Sequence, residues 1–320
     1  MQILVTMPLN EAQREKLRRA APEGEFLWRC GDAVTKEDVA GAEIILGNLP
    51  DPSWAAKAGR LGWIQLNNAG TEGYCDPAHV PEGVLLTNAT GAYGLAISEH
   101  MLGCLLMLRK KLHLYYANQL SREWKREGHV GVIEGSRVLC VGLGDIGGAF
   151  AKRMKALGAC TVGIRRTVRE KPPWVDEVYT VEDLERELPK ADVIALSMPG
   201  NRETAGMLDR RRLCMLKENA VLINVGRGSA VDTQALTELL EARRIAGAAL
   251  DVTDPEPLPA QHPLWRAPNA LITPHVSGGF SLPETLEKIV DICADNLERY
   301  RRGEELRNLV DRKRGYVCRP

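Results

Sequence analysis

One stretch in mid-chain constrains the fold more than any other. Val138–Val141 is an apolar strand candidate; Gly142-Leu-Gly144-Asp-Ile-Gly147, a helical stretch to Leu157 and a second apolar strand, Cys160–Ile164, follow it. In this G-x-G-x-x-G arrangement each glycine has a separate geometric task. Gly142 permits a tight turn, Gly144 lets backbone approach a phosphate, and Gly147 lets the helix pack on the strand. The helix N-terminus then offers N–H groups and a partial positive charge to a pyrophosphate. With 30 glycines in 320 residues, the glycine spacing alone arises easily by chance. The flanking strand, helix and second strand make it a dinucleotide-binding unit.

The second strand ends in Arg165-Arg166, eighteen residues beyond Gly147. That position addresses the adenosine ribose, where a carboxylate accepts from both hydroxyls and favours NAD. A 2′-phosphate is repelled by a carboxylate and held by guanidinium forks. Arg165 and Arg166, with the Thr167 hydroxyl and Arg169 nearby, suit the phosphate. Two solvated arginines beside NAD are the plainer reading, and NADP(H) is the preferred one.

The length allows two compact domains with cores of their own. Lys+Arg 42 balances Asp+Glu 42, so no global field points to nucleic acid or a membrane surface. The eight cysteines are scattered, with no C-x-x-C pair and no disulfide framework, as expected in a reducing cytoplasm. Met1–Thr6 reads as a first strand rather than a signal peptide. Met101–Leu108, the longest apolar run, is too short to span a bilayer. A soluble cytoplasmic protein is expected.

Apolar runs alternate with helical segments throughout, the rhythm of a parallel α/β sheet. Early strands are expected at Ile3–Thr6, Glu25–Trp28, Glu43–Leu46, Trp63–Leu66 and Val84–Thr87. Later ones fall at Val193–Ser197, Ala220–Asn224, Ala248–Val252 and Leu271–Thr273. Gly91–Arg109 reads as a long buried helix and Leu282–Arg301 as an amphipathic one. Because the glycine unit lies in mid-chain, the residues before it must form something separate. Residues 1–95 with 285–320 are expected as one domain, and 96–284 as the nucleotide domain.

Three charged residues follow the phosphate loop, each just beyond a strand end, where α/β sheets place their sites. Arg227 sits in Asn224-Val-Gly-Arg-Gly228, Glu256 in Asp251-Val-Thr-Asp-Pro-Glu-Pro257, and His275 in Thr273-Pro-His275. Reducing a keto acid needs a cation for the carboxylate, a proton donor near neutral pH, and a group that keeps the donor charged. Arginine, histidine and a neighbouring carboxylate meet those needs. Taken singly, each has an ordinary explanation as a surface ion pair, a solvated turn residue or a loop cap. Together, downstream of a nucleotide loop, they form a set.

Here the chain resembles the D-isomer-specific 2-hydroxyacid dehydrogenases, the group that includes glyoxylate/hydroxypyruvate reductases, phosphoglycerate dehydrogenases and D-lactate dehydrogenases. The matching stretches are Asn68-Ala-Gly-Thr-Glu72, Asn88-Ala-Thr-Gly91, Ser98-Glu-His100, Val141–Gly147, Asn224–Gly228, Leu250-Asp-Val252 with Glu256-Pro257, and Thr273-Pro-His275. The tail Asn308-Leu-Val-Asp311 with Gly315-Tyr316 also matches; the first 60 residues agree only in strand–helix rhythm. The resemblance implies a Rossmann-type nucleotide-binding domain inserted in a flavodoxin-like substrate domain. It implies a homodimer formed through the nucleotide domain, with a cleft closing on substrate. His275 would be the acid/base, Glu256 its partner, and Arg227 the substrate carboxylate ligand, helped by the N–H groups of Ala69 and Gly70. Asp251 would contact the nicotinamide carboxamide. Gly142, Gly144, Asp145, Ile146, Gly147, Arg165, Arg166, Met198, Pro199, Thr204, Val225, Gly226, Arg227, His275, Ser277 and Gly278 would line the cofactor.

The sequence departs from the family pattern at four places. Arg165 stands where an acid is frequent, Glu72 where Asp is common, Cys75 where a second Asp often follows, and Thr253 where an aromatic is usual. The chemistry is left intact, while the size and shape of the substrate stay open. NADPH-dependent reduction of a small 2-keto acid to the D-2-hydroxy acid is the expected activity. An NAD-dependent D-2-hydroxyacid or phosphoglycerate dehydrogenase is the alternative within the class, and a dinucleotide-sensing, non-enzymatic corepressor the alternative outside it. Short-chain reductases need Tyr-x-x-x-Lys, and none of the 7 tyrosines has Lys four residues on. The scattered cysteines and 6 histidines offer no zinc-ligand spacing, so no metal is expected.

Overall fold

The computed structural model describes residues 1–167, 170–279 and 282–317. The chain divides into two compact units, Met1–Tyr93 with Gly279–Pro320, and Gly94–Gly278. These divisions fall after residues 93 and 278, against boundaries expected at 95 and 284.

The first unit carries a parallel five-stranded sheet. Its strands are β1 (Gln2–Val5), β2 (Glu25–Trp28), β3 (Ile44–Leu46), β4 (Trp63–Gln65) and β5 (Leu85–Thr87), in the order β2-β1-β3-β4-β5. That is the flavodoxin-like 2-1-3-4-5 order. Leu4, Ile45, Ile64 and Leu86 from neighbouring strands share one core cluster with Val39, Val84 and Val310. The helix Glu11–Ala20 begins with a reciprocal capping box between Asn10 and Gln13. The long C-terminal helix Pro283–Arg302 belongs to this unit and ends at Gly303 in the left-handed conformation, an ordinary helix stop.

The second unit is a parallel seven-stranded sheet of β6 (Arg137–Val141), β7 (Cys160–Arg165), β8 (Glu177–Thr180), β9 (Val193–Leu196), β10 (Val221–Asn224), β11 (Gly247–Leu250) and β12 (Ala270–Ile272). The order β12-β11-β10-β9-β6-β7-β8 is the doubly wound arrangement, and its direction of winding reverses between β6 and β9. Strands β6, β9, β10 and β11 are almost fully buried, which is why they read as continuous apolar runs rather than alternating ones.

Three local differences from the sequence expectation have physical causes. The helix expected over 91–109 begins only at Gly94, because Gly91 has a positive φ of 103° that breaks helical geometry. Its continuation is a separate helix, Leu112–Leu120, set off by Lys111 in a left-handed conformation. β8 went unforeseen: Glu-Val-Tyr-Thr is an edge strand with every residue half-buried, so it shows no apolar alternation.

Candidate active site

The residues proposed to act on cofactor and substrate in the second unit lie at the carboxyl ends of its strands. Main-chain ladders continue past those ends and fix the loops: Ser197 N donates to Val141 O (3.1 Å), Val225 N to Leu196 O (3.1 Å), Asp251 N to Asn224 O (3.0 Å) and Thr273 N to Leu250 O (3.0 Å).

The glycine loop joins β6 to the helix Asp145–Ala156, with Gly144 as N-cap and no side chain capping the helix. Gly142 has φ of 93°, and a Cβ there would stand 3.1 Å from Met198 N. A Cβ on Gly147 would stand 1.9 Å from Gly142 O and 2.5 Å from Ser197 Oγ, so only glycine fits at this helix–strand contact. A Cβ on Gly144 would meet nothing within 4 Å. The loop is therefore tight where it touches protein and open where a phosphate would approach. That fits a dinucleotide's pyrophosphate. Asp145 puts a carboxylate in the first helical turn, but its Oδ2 accepts from Gly94 N (2.9 Å). Its side chain is thus engaged by the protein, and what it and Ile146 offer a cofactor is backbone N–H.

Met198 and Pro199 follow β9, and the Met198 backbone abuts Gly142 of this loop. Thr204 Oγ1 donates to Pro199 O (2.7 Å), closing the turn over Asn201. Arg165 ends β7 half-buried, and its Nη1 donates to Glu170 O at 3.5 Å. Arg166 approaches Glu203 at 3.8 Å. Arg169 lies outside the described residues.

The turn after β10 is drawn tight by Asn224, which is buried. Its Nδ2 donates to Arg227 O (2.9 Å) and its Oδ1 accepts from Gly226 N (3.1 Å). Val225 and Gly226 are buried beneath it, and Arg227 Nη1 donates to Gly226 O (2.6 Å). A Cβ on Gly200 would meet Arg227 Cγ at 2.7 Å, and one on Gly228 would meet Thr253 O at 1.9 Å. The Arg227 turn is thereby packed between the β9 loop and the start of the segment that carries Glu256.

His275 Nδ1 and Glu256 Oε1 are 2.6 Å apart, with the two side chains 49% and 42% exposed. With Nδ1 bonded to Glu256, Nε2 is the second ring nitrogen. His275 adopts a left-handed backbone (φ 52°), and its N–H bonds to Asp251 O (2.9 Å) and Thr273 O (3.0 Å). Asp251 is only 3% exposed. Its Oδ1 accepts from Thr273 Oγ1 (2.5 Å) and Val276 N (3.0 Å), its Oδ2 from Ser277 N (3.0 Å) and Ser277 Oγ (2.5 Å). Burial pushes its pKa up, but the hydrogen bonds from Ser277, Thr273 and Val276 outweigh it and hold the carboxyl below its usual range. Asp251 thus clasps the loop His275–Gly278, a role the sequence did not announce.

In the first unit, the Ala69–Gly70 loop is held by a set of amides. Asn88 Nδ2 donates to Ala69 O (2.7 Å) and Ala89 N to Asn68 O (2.9 Å). Asn308 Nδ2 donates to Asn88 O (3.1 Å) and Thr90 O (2.7 Å), and Tyr93 Oη donates to Asn67 O. Asn88 and Asn308 fall in stretches that carried the family resemblance, yet nothing in the sequence distinguished them as the braces of this loop.

Comparison with known proteins places the chain in a family. The family model described as D-isomer specific 2-hydroxyacid dehydrogenase, NAD binding domain, matches residues 102–277. A solved D-isomer specific 2-hydroxyacid dehydrogenase family protein from Aeromonas salmonicida subsp. salmonicida A449 is 32% identical, with TM-score 0.85 over 97% of this chain and 99% of that one. A D-isomer specific 2-hydroxyacid dehydrogenase from Xanthobacter autotrophicus Py2, solved with NADPH and MES, is 27% identical, with TM-score 0.83 over 98% and 99%. A glyoxylate reductase from Thermococcus litoralis is 33% identical over 241 residues, 72% of this chain and 71% of that protein. With its Rossmann-type sheet, its glycine loop and this breadth of similarity, the chain belongs to the D-isomer-specific 2-hydroxyacid dehydrogenase family of oxidoreductases.

Proposed function

We propose that this chain reduces a small 2-keto acid, of the glyoxylate or hydroxypyruvate type, to the D-2-hydroxy acid, with NADPH as the preferred reductant. The observation that carries the reading is the 2.6 Å pair of His275 Nδ1 and Glu256 Oε1, on loops at the carboxyl edge of the nucleotide-binding sheet. The similarity to a glyoxylate reductase and to a structure holding NADPH supports the choice of substrate class and cofactor.

A nicotinamide cofactor, when bound, would supply the hydride for the keto carbon. Glu256 accepts the hydrogen bond from His275 Nδ1 and orients the ring. His275 gives the proton on Nε2 to the carbonyl oxygen as the alcohol forms. Arg227 grips the substrate carboxylate through its guanidinium fork, with the N–H groups of Ala69 and Gly70 as further donors. Asp251 holds the His275 loop and contacts the carboxamide, and Ser277 and Gly278 line the same end. Gly142, Gly144, Asp145, Ile146 and Gly147 bind the pyrophosphate through backbone. Met198, Pro199, Thr204, Val225 and Gly226 form the wall, and Arg165 and Arg166 bind the 2′-phosphate.

We also propose a homodimer through the nucleotide-binding unit. Leu112, Tyr116, Leu120, Trp124, Val130 and Val132 are all exposed along residues 112–132, a concentration of exposed large apolar side chains that supports an interface there. The described cysteines are all free, which suits a reducing compartment such as the cytoplasm. No helix among the described residues is long and apolar enough to cross a membrane.

The test is NADPH oxidation followed spectrophotometrically with glyoxylate, hydroxypyruvate and longer 2-keto acids. Turnover with at least one is expected. Dinucleotide binding without turnover on any of them would replace this reading with that of a sensor.

A further inference from the structure

His100 has no part in the scheme above, yet it reaches the anchor of the catalytic loop from below. It lies on the helix Gly94–Arg109, and its Nε2 is 3.4 Å from Thr273 Oγ1 and 3.5 Å from Cys104 Sγ. The Thr273 hydroxyl proton is already committed, because Oγ1 stands 2.5 Å from Asp251 Oδ1 and a carboxylate only accepts. Thr273 therefore turns a lone pair to His100, and His100 meets it with an N–H at Nε2. Cys104 is a weak, neutral partner, since burial and then the charge of Asp251 push its thiol up to about 11. Beyond Thr273, Asp251 gathers the backbone N–H groups of Val276 and Ser277, which directly follow His275, itself in the left-handed conformation that side chains adopt only rarely.

We propose that His100 is a positioning residue: its Nε2–H, acting through the Thr273 hydroxyl, fixes Asp251 and with it the loop that presents His275. The kinetic consequence rests on the reductase reading; the effect on loop order does not.

The experiment is deuterium exchange at the Val276 and Ser277 amides of the whole chain, comparing the unmodified protein with His100→Leu and His100→Gln. Glutamine keeps an N–H donor at similar reach, and leucine removes it. The leucine variant should exchange these two amides about tenfold faster, with glutamine restoring slow exchange. In the reductase assay leucine should lower kcat about tenfold while KM and the NADPH dissociation constant stay within about twofold, and glutamine should recover most of kcat. Exchange in the leucine variant within about twofold of the unmodified protein overturns the inference whatever the turnover. Should that variant fail to fold, Thr273→Val cuts the same link from its other side and must speed the same exchange; unchanged exchange there overturns the inference equally. An unmodified protein inactive on every keto acid would defeat the reductase reading, and the exchange comparison would still decide the role of His100.

Discussion

At the scale of single residues, what the structure adds is how each chemical group is held. His275 was expected as an acid/base because this histidine follows a strand end in the company of Arg227 and Glu256. Its 2.6 Å bond to Glu256 then pairs two residues nineteen positions apart. The support was not legible. Asp251, Thr273 and Ser277 form a closed set of hydrogen bonds that depends on side-chain direction, which sequence spacing does not give. Asn224 is similar: its contribution is two hydrogen bonds inside a turn, invisible as a pattern. Arg165 permits a direct prediction. Replacing Arg165 with Asp should lower kcat/KM with NADPH by about tenfold or more, the worth of a charge-assisted phosphate contact, while leaving NADH use nearly unchanged. Steady-state kinetics with both cofactors measures it, and a protein that already prefers NADH would remove the argument from Arg165.

At the scale of elements, the strand–turn–helix unit was read correctly because its glycines answer to backbone geometry, and backbone geometry leaves a mark in sequence. The same glycines separate packing from binding. Gly147→Ala forces a Cβ to 1.9 Å from a carbonyl oxygen, so it should destabilise the fold by about 1–3 kcal/mol and weaken cofactor binding with it. Gly144→Ala meets open space at an ordinary negative φ, so thermal stability should hold while dinucleotide affinity falls. Melting curves with and without NADPH distinguish the two; equal ligand-induced shifts for Gly144→Ala and the unmodified protein would take the phosphate away from this loop. Elements that lack such marks were harder to read. β8 is a half-buried edge strand with no alternation, and the stop at Lys111 is made by a lysine in the left-handed conformation. Propensity alone carries neither.

At the scale of the whole molecule, charge and association govern behaviour in solution. Glu187 is buried in the nucleotide-binding unit, and burial alone would raise its pKa. Lys190, Arg137 and Arg186 surround it at 2.9, 2.6 and 3.1 Å and instead lower it to about 2 from 4.5. A carboxyl with a depressed folded pKa adds stability above its unfolded value, and that stability is lost as pH falls through the folded one. The contribution, at most about 3 kcal/mol, is therefore complete above pH 4.5 and drains away toward pH 2. The melting temperature of the unmodified protein should fall more steeply across that window than that of Glu187→Gln; parallel curves would remove Glu187 from the acid response. Association has its own test. Leu120→Glu with Trp124→Glu should shift a dimer toward monomer in sedimentation, since both apolar side chains are exposed. A dimer unaffected by the pair would place the interface elsewhere.

The proposed reduction depends on His275 giving its proton to a keto oxygen, and one kinetic comparison measures that step directly. With the best 2-keto acid and saturating NADPH, kcat of His275→Ala should fall by about 10²–10⁴-fold, the range typical of a lost general acid. The NADPH dissociation constant, measured by fluorescence titration, should stay within about twofold. Turnover by His275→Ala equal to that of the unmodified protein would contradict the mechanism at its centre.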